Sequence, residues 1–119
     1  MSKGSFHKWD DLPQTPMTPY IKRRLVTGEK VMSAYFTLDK GAIVGEHHHP
    51  HEQITHIISG LIEFEVAGEK RVMGPGEVLF IPSNAPHSAM ALEDTINIEV
   101  FSPPREDFLT DEPPAYMQE

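Results

Sequence analysis

Polar and apolar residues alternate with a period of two along several short stretches of the chain. LIEFEVA (61–67) places Ile62, Phe64 and Val66 on one face and two glutamates on the other. Further stretches with the composition and length of strands are KVMSAYFTL (30–38), EVLFIP (77–82) and TINIEVF (95–101). Because residues two apart in a strand share a face, these stretches predict β-strands with one buried face.

Turn-forming residues separate the predicted strands at regular intervals. Glycine occurs in the short polar connections at 27–29, 67–69 and 74–76. No segment carries a sustained helical period with end caps. Short strands at this spacing are typical of a barrel or sandwich, so the predicted fold class is all-β.

The length of 119 residues predicts a single domain. Residues 1–20 contain three prolines and no clear period, which predicts an extended N-terminal arm. Residues 21–109 carry the strand pattern and form the predicted barrel domain, and residues 110–119 form a predicted C-terminal tail. Because 102–119 holds four prolines and several acidic residues, we expect this end of the chain to lie over the barrel mouth.

The composition narrows the classes of partner and of chemistry. A net charge of −8 argues against nucleic acid and membrane surfaces, since both bind clustered lysine and arginine. The short basic run at 22–24 is more typical of the solvated face of a strand. The absence of cysteine excludes disulfides, thiolate metal sites and cysteine nucleophiles. No apolar leader or long apolar run is present, so we expect a soluble cytoplasmic protein.

Five of the seven histidines fall within EHHHPHEQITH (46–56). In strand geometry His47 and His49 share a face, and Pro50 favours a turn after them. The strand that follows brings Gln53 back near the pair, while His87 follows a second turn further along the chain. Imidazole and amide donors in this number suit a divalent ion, which makes His47, His49, Gln53 and His87 the candidate metal ligands.

The other histidines have simpler interpretations. Glu52 is the alternative to Gln53, but it has the opposite parity in the strand. We expect His48 and His51 on the outer face or behind the ligands, His56 facing away, and His7 on the surface. A barrel that retains its histidines without a metal is the remaining alternative.

Two spaced motifs resemble those of the cupin family. They are G41-x5-H47-x-H49-x3-Q53-x6-G60 and, fifteen residues later, G76-x5-P82-x-N84-x2-H87. The resemblance covers roughly residues 30 to 100, and it implies a cupin-type β-barrel (a double-stranded β-helix, or jelly roll) with the metal bound inside by the motif histidines.

This sequence departs from the family pattern at three positions. Gln53 stands where glutamate is usual, Asn84 replaces a glycine, and Ala91 replaces an asparagine. Asn84 tolerates the positive φ that such a turn requires. A neutral Gln53 leaves the metal more positive and cannot act as a base. Three imidazoles and one oxygen suit Ni, Zn, Fe, Co or Mn.

The last predicted strand continues into INIEVFSPPREDFL (96–109), whose alternation places Glu99 and Phe101 on one face. By periodicity alone, Glu99 lies on a solvated face and Arg105 forms a surface ion pair with Glu106 or Asp107. Together with HHHPHEQIT, however, this stretch resembles the KdgF group of small cupins. The resemblance implies conversion of 4,5-unsaturated monouronates from pectin or alginate into linear 4-deoxy-5-keto uronates, with Glu99, Phe101 and Arg105 as catalytic residues. The family's acid is typically aspartate.

The chemistry of this reaction assigns a role to each residue. A divalent ion stabilises the developing enolate, Glu99 supplies or relays a proton, and Arg105 binds the uronate carboxylate. Phe101 packs on the apolar face of the sugar. The alternatives are a non-catalytic cupin that senses a sugar or a metal, and a quercetinase-type dioxygenase, against which Gln53 argues.

The expected partners are a small sugar acid and a second copy of the chain. The exposed edge strands and the proline-rich arm of a small barrel require a surface that covers them. The resemblance also implies a homodimer, in which the stretch 20–25 is the candidate for a strand exchanged between the copies.

Overall fold

The computed structural model describes residues 3–109 and 114–117. Its ten strands are β1 (Thr15–Thr18), β2 (Ile21–Thr27), β3 (Met32–Leu38), β4 (Ile43–His47), β5 (Glu52–Ser59), β6 (Ile62–Val66), β7 (Glu69–Met73), β8 (Val78–Ile81), β9 (His87–Ala91) and β10 (Thr95–Ser102). Three short 3-10 turns cover Trp9–Asp11, Glu106–Leu109 and Ala115–Met117. None of the described helices has the length and apolar character needed to cross a membrane.

The strands form two antiparallel sheets. The larger has the order β1-β2-β3-β10-β5-β8, and the smaller has the order β4-β9-β6-β7. Side chains of both sheets meet in one core, to which β3 contributes Met32 and Phe36 and β6 contributes Ile62 and Phe64. The predicted all-β fold with a single domain is confirmed.

The predicted alternation holds along β3, where every second residue from Met32 to Leu38 is buried. On β10 the faces are inverted relative to what hydrophobicity alone suggests. Ile96 and Ile98 are partly exposed, whereas Asn97 on the other face is 1% exposed. The polar face of β10 therefore points into the barrel, where it lines the site described below.

The predicted arm is partly a strand of the barrel itself. β1 pairs antiparallel with β2, and Met17 is buried in the core. Upstream, Trp9 packs against Tyr35 with ring centroids 5.3 Å apart, and its carbonyl accepts a hydrogen bond from Arg24. Thus residues 9–18 lie along the large sheet of their own chain rather than extending from it.

The stretch 20–25 lies almost entirely in β2, which pairs with β1 and β3 of the same chain. The homodimer itself stays a prediction. The structure corrects the interpretation of the basic run, because Arg23 is only 3% exposed and its guanidinium lies 5.1 Å from the ring centroid of Phe108. Arg23 occupies an inward position of β2, so strand parity places it inside.

Gly60, the last glycine of the first motif, closes the connection between β5 and β6. Its φ is +93°, and a Cβ there would meet the Asp94 carbonyl oxygen and lie 2.6 Å from the Thr95 Cα. Thr95 Oγ1 in turn accepts from the Leu61 amide at 3.2 Å. The turn is held against the start of β10 at a spacing that admits only glycine.

Gly60→Ala and Gly68→Ala form a matched test of this constraint. Both glycines have positive φ, but a Cβ at Gly68 meets nothing within 4 Å. We expect Gly68→Ala to lower the free energy of unfolding by about 1 kcal/mol through backbone strain, and Gly60→Ala by about 3 kcal/mol or more. Urea denaturation of the metal-free proteins measures both, and equal losses would contradict the close-approach explanation.

Candidate metal centre

Three imidazoles meet at one end of the small sheet. His47 ends β4, His87 begins β9, and the two are cross-strand partners. His49 lies in the turn that follows β4. One ring nitrogen from each of the three lies within 4.8 Å of the others, so the set could hold a metal ion.

The backbone fixes the orientation of each ring. The Nδ1 of His47 lies 2.8 Å from the Gly45 carbonyl, that of His87 lies 2.8 Å from the Ala85 carbonyl, and that of His49 lies 3.0 Å from the His51 carbonyl. A carbonyl only accepts, so each Nδ1 carries the proton and each Nε2 presents a lone pair. The Nε2 atoms of His49 and His87 are buried with no hydrogen-bond partner in the described part of the chain. This is the arrangement of metal-binding histidines.

The surroundings also keep the imidazoles neutral. Burial lowers the pKa of His47 to about 3 and that of His49 to about 4, and it lowers the pKa of His87 as well. The positive charge of Arg105 and the neighbouring histidines act in the same direction. Near neutral pH all three are therefore uncharged, which is the form that binds a metal.

Gln53 is a possible fourth donor. It is 3% exposed on β5 and lines the same cavity as His47 and His87. Its amide nitrogen donates to Thr55 Oγ1 at 2.9 Å, so this hydrogen bond engages the NH₂ end and not the oxygen. Glu52 is exposed, as its parity predicts.

The remaining histidines lie apart from the three ring nitrogens. His7, His48 and His56 are exposed. His51 is buried, with its ring 5.4 Å from that of His49 and its Nε2 3.2 Å from a carboxylate oxygen of Glu106. This position, behind a candidate ligand, agrees with the prediction for His51.

A cavity of about 30 Å³ adjoins the imidazoles. Its polar wall includes Asn97, Glu99 and Arg105, and its apolar wall includes Phe108 and Met117. The predicted proton donor Glu99 and the predicted carboxylate-binding Arg105 thus line the same cavity as His47 and His87.

Glu99 is partly exposed as a residue, but its carboxyl group is withdrawn from water at the cavity wall. Burial raises the pKa of Glu99 to about 7, while Arg105 and a hydrogen bond with Asn97 limit the rise. The carboxyl therefore exchanges a proton near neutral pH, which suits a general acid or base.

Arg105 is 3% exposed and forms a bidentate pair with Asp107, at 3.1 Å from Nε and 2.6 Å from Nη2. The ion pair predicted between Arg105 and Asp107 is therefore present. Its arginine, however, is buried and does not lie on the surface. The guanidinium also lies 4.0 Å from the ring centroid of Phe108. Burial and these contacts fix the planar fork at the cavity wall.

Phe101 occupies a different position from the one its predicted role requires. It is fully buried, with its ring edge-on to His49 and Phe108 at 5.8 and 5.5 Å, and it is not among the residues that line the cavity. Phe108 provides the aromatic wall instead, because the 3-10 turn at 106–109 folds it over Phe101.

Sequence reasoning missed Tyr116. Its ring stacks on His47, with centroids 3.6 Å apart and an interplanar angle of 3°. Its hydroxyl accepts a hydrogen bond from Arg105 Nη2 at 2.6 Å. The expectation that the end of the chain covers the barrel mouth pointed to this region; residues 110–113 and 118–119 of the predicted tail lie outside the described residues.

Known proteins with similar sequences and structures share this architecture. A family model described as a cupin domain matches residues 34–102. The pectin degradation protein KdgF of Dickeya dadantii (strain 3937) is 34% identical over 103 residues, which cover 84% of this chain and 94% of that protein.

Solved structures extend the similarity. The structure of KdgF from Halomonas sp. has a TM-score of 0.85 at 34% identity and covers 89% of this chain and 99% of that chain. An RmlC-like cupin from Shewanella frigidimarina NCIMB 400 has the same TM-score at 28% identity, covering 89% and 96% of the two chains.

Adjacent histidines allow a matched test of the metal site. We expect His47→Ala to weaken the affinity for Zn²⁺ or Ni²⁺ by about 100-fold or more, since even the outer partners of such ligands contribute roughly 10- to 100-fold. His48→Ala removes an exposed imidazole one residue away and should retain the metal. Elemental analysis after dialysis and competition with a chelator measure both; equal loss in the two variants would contradict the assignment.

Proposed function

Because the chain belongs to the cupin superfamily and to its KdgF group, we propose that it acts in the degradation of pectin or alginate. It opens the ring of 4,5-unsaturated uronate monosaccharides and yields linear 4-deoxy-5-keto uronates. The observation that carries this proposal is that His47, His87, Glu99 and Arg105 line one cavity. Candidate metal ligands, a titratable acid and a carboxylate-binding group thus face a common space.

The reaction needs proton transfers and no redox step. The substrate is a cyclic hemiacetal whose ring oxygen is attached to C5 of a C4=C5 double bond. The C1 hydroxyl loses its proton, the bond between C1 and the ring oxygen breaks, and the electron pair remains on that oxygen as an enolate. Protonation at C4 then gives the 5-keto product, which is an isomer of the substrate.

His47, His49 and His87, with Gln53 as fourth donor, would hold one divalent transition-metal ion. A bound ion supplies electrostatic stabilisation for the enolate oxygen and the adjacent carboxylate. The three histidines fit such an ion because their Nδ1 protons are engaged in hydrogen bonds to backbone carbonyls. The buried Nε2 atoms of His49 and His87 have no hydrogen-bond partner in the described part of the chain. All four donors are neutral, so the site attracts an anionic substrate more strongly than a site with a carboxylate ligand.

Arg105 binds the uronate carboxylate, and Glu99 transfers the proton. The guanidinium presents a planar fork that matches a carboxylate, and burial strengthens that attraction. With a pKa of about 7, Glu99 is substantially protonated at neutral pH and can donate to C4. Phe101, beneath His49 and 5.2 Å from the Arg105 guanidinium, supports both groups rather than touching the sugar.

An ultraviolet assay tests the proposed function. Metal-loaded protein is mixed with unsaturated galacturonate, and the absorbance of the conjugated double bond is followed. We expect faster loss than in buffer or with metal-free protein. Arg105→Lys keeps the charge but loses the fork, and should lower kcat/KM by about 30- to 100-fold. Arg71→Lys, at an exposed position of β7, is the control and should match the parent protein. No acceleration by protein shown to contain metal would refute the proposal.

The pH dependence of the same assay tests Glu99. A donor must be protonated, so we expect kcat to fall as the pH rises past an apparent pKa near 7, by about ten-fold per pH unit well above it. A bound cation stabilises the carboxylate and moves this value somewhat lower. Glu99→Gln cannot release a proton, so this variant should lose most of kcat and also the fall of kcat at high pH. An unchanged profile in Glu99→Gln would exclude Glu99 as the donor.

A further inference from the structure

Tyr116 makes two contacts with the site through opposite ends of one side chain. Its ring lies parallel to the His47 ring at 3.6 Å, and its hydroxyl accepts from Arg105 at 2.6 Å. Of these three clustered histidines, His47 alone is only partly buried. The stack covers that ring, so Tyr116 restrains both a candidate metal ligand and the arginine.

The segment that carries Tyr116 is seated in the barrel mouth. Met117 is 7% exposed and belongs to the core, and the Tyr116 carbonyl oxygen lies 3.2 Å from where a Cβ on Gly45 would stand. A glycine at position 45 thus lets this segment lie directly against β4. Both Tyr116 and Met117 line the cavity beside the imidazoles.

The space left with this segment in place is too small for the proposed substrate. The cavity of about 30 Å³ has room for a few water molecules, whereas a monouronate has roughly a dozen non-hydrogen atoms. The sugar therefore requires Tyr116 and Met117 to shift. Because the phenol hydroxyl is a neutral acceptor, a substrate carboxylate forms the stronger, charge-assisted bond to the same guanidinium.

We propose that Tyr116 is a positioning residue that holds Arg105 and His47 in place before substrate binds, and that the substrate carboxylate displaces its hydroxyl from Arg105. The inference rests on the proposed function, since it takes a uronate as the displacing ligand. The Asp107 pair stays in place during the exchange, because it is bidentate and holds the guanidinium from the other side.

Two variants separate the contacts of Tyr116. Tyr116→Phe keeps the ring on His47 and removes only the hydroxyl, whereas Tyr116→Ala removes both contacts. Tyr20→Phe, which alters an exposed tyrosine, is the matched control. Each 119-residue protein is loaded with Zn²⁺, and the rate of metal loss to a chelator is measured. Saturated galacturonate, which has no double bond to react, is then titrated by calorimetry.

Without the competing hydroxyl, Tyr116→Phe should bind galacturonate about five-fold more tightly and release the metal at the parent rate. Tyr116→Ala should release the metal about ten-fold faster, while Tyr20→Phe matches the parent in both measurements. The inference would be overturned if Tyr116→Phe bound galacturonate no more tightly than the parent protein or not at all. It would also be overturned if Tyr116→Ala released the metal at the parent rate. Neither measurement requires turnover, so the inference can fail while the ultraviolet assay still supports ring opening, and the reverse can also occur.

Discussion

The pairing of His47 with His87 across β4 and β9 is the constraint on which the rest of the site depends. One strand ends and the other begins at this pair, so the two rings stand side by side at one end of the small sheet. Backbone carbonyls then turn each Nδ1 outward and each Nε2 inward. The third imidazole needs only a short turn beyond β4 to join them. A metal-binding geometry thus arises from strand register and turn shape.

This arrangement has a cost that a bound ion offsets. Three imidazoles lie close together with low pKa values because burial and neighbouring positive charge disfavour protonation. The unfolded chain is free of that restriction and takes up protons below the ordinary pKa of histidine, so the metal-free fold loses stability as the pH falls below about 6.5. A divalent ion binds the Nε2 lone pairs of the folded cluster and offsets this loss of folding stability. Metal binding is thereby linked to folding.

The sequence predicted the barrel and the candidate ligands for a physical reason. Period-two alternation and turn glycines act locally, and motif spacing carries strand parity, so Gln53 could be preferred over Glu52. The inward position of Arg23 and the place of Phe101 depend on which face of each strand meets the other sheet. The contact of Tyr116 with His47 depends on where the proline-rich end of the chain folds back onto the barrel, and no periodicity in the sequence encodes that contact. Local rules therefore gave the candidate ligands, while the surroundings that close the cavity required the tertiary structure.

The crowding of histidines in 46–56 also has a consequence for the denatured chain. His87 is 40 residues from His47 along the sequence, so the folded cluster cannot exist before the sheets form. The other five imidazoles of the barrel region remain within eleven residues of one another in any conformation. An unfolded chain is therefore itself a metal-binding peptide, and ions that bind it stabilise the fold less than the affinity of the native site implies.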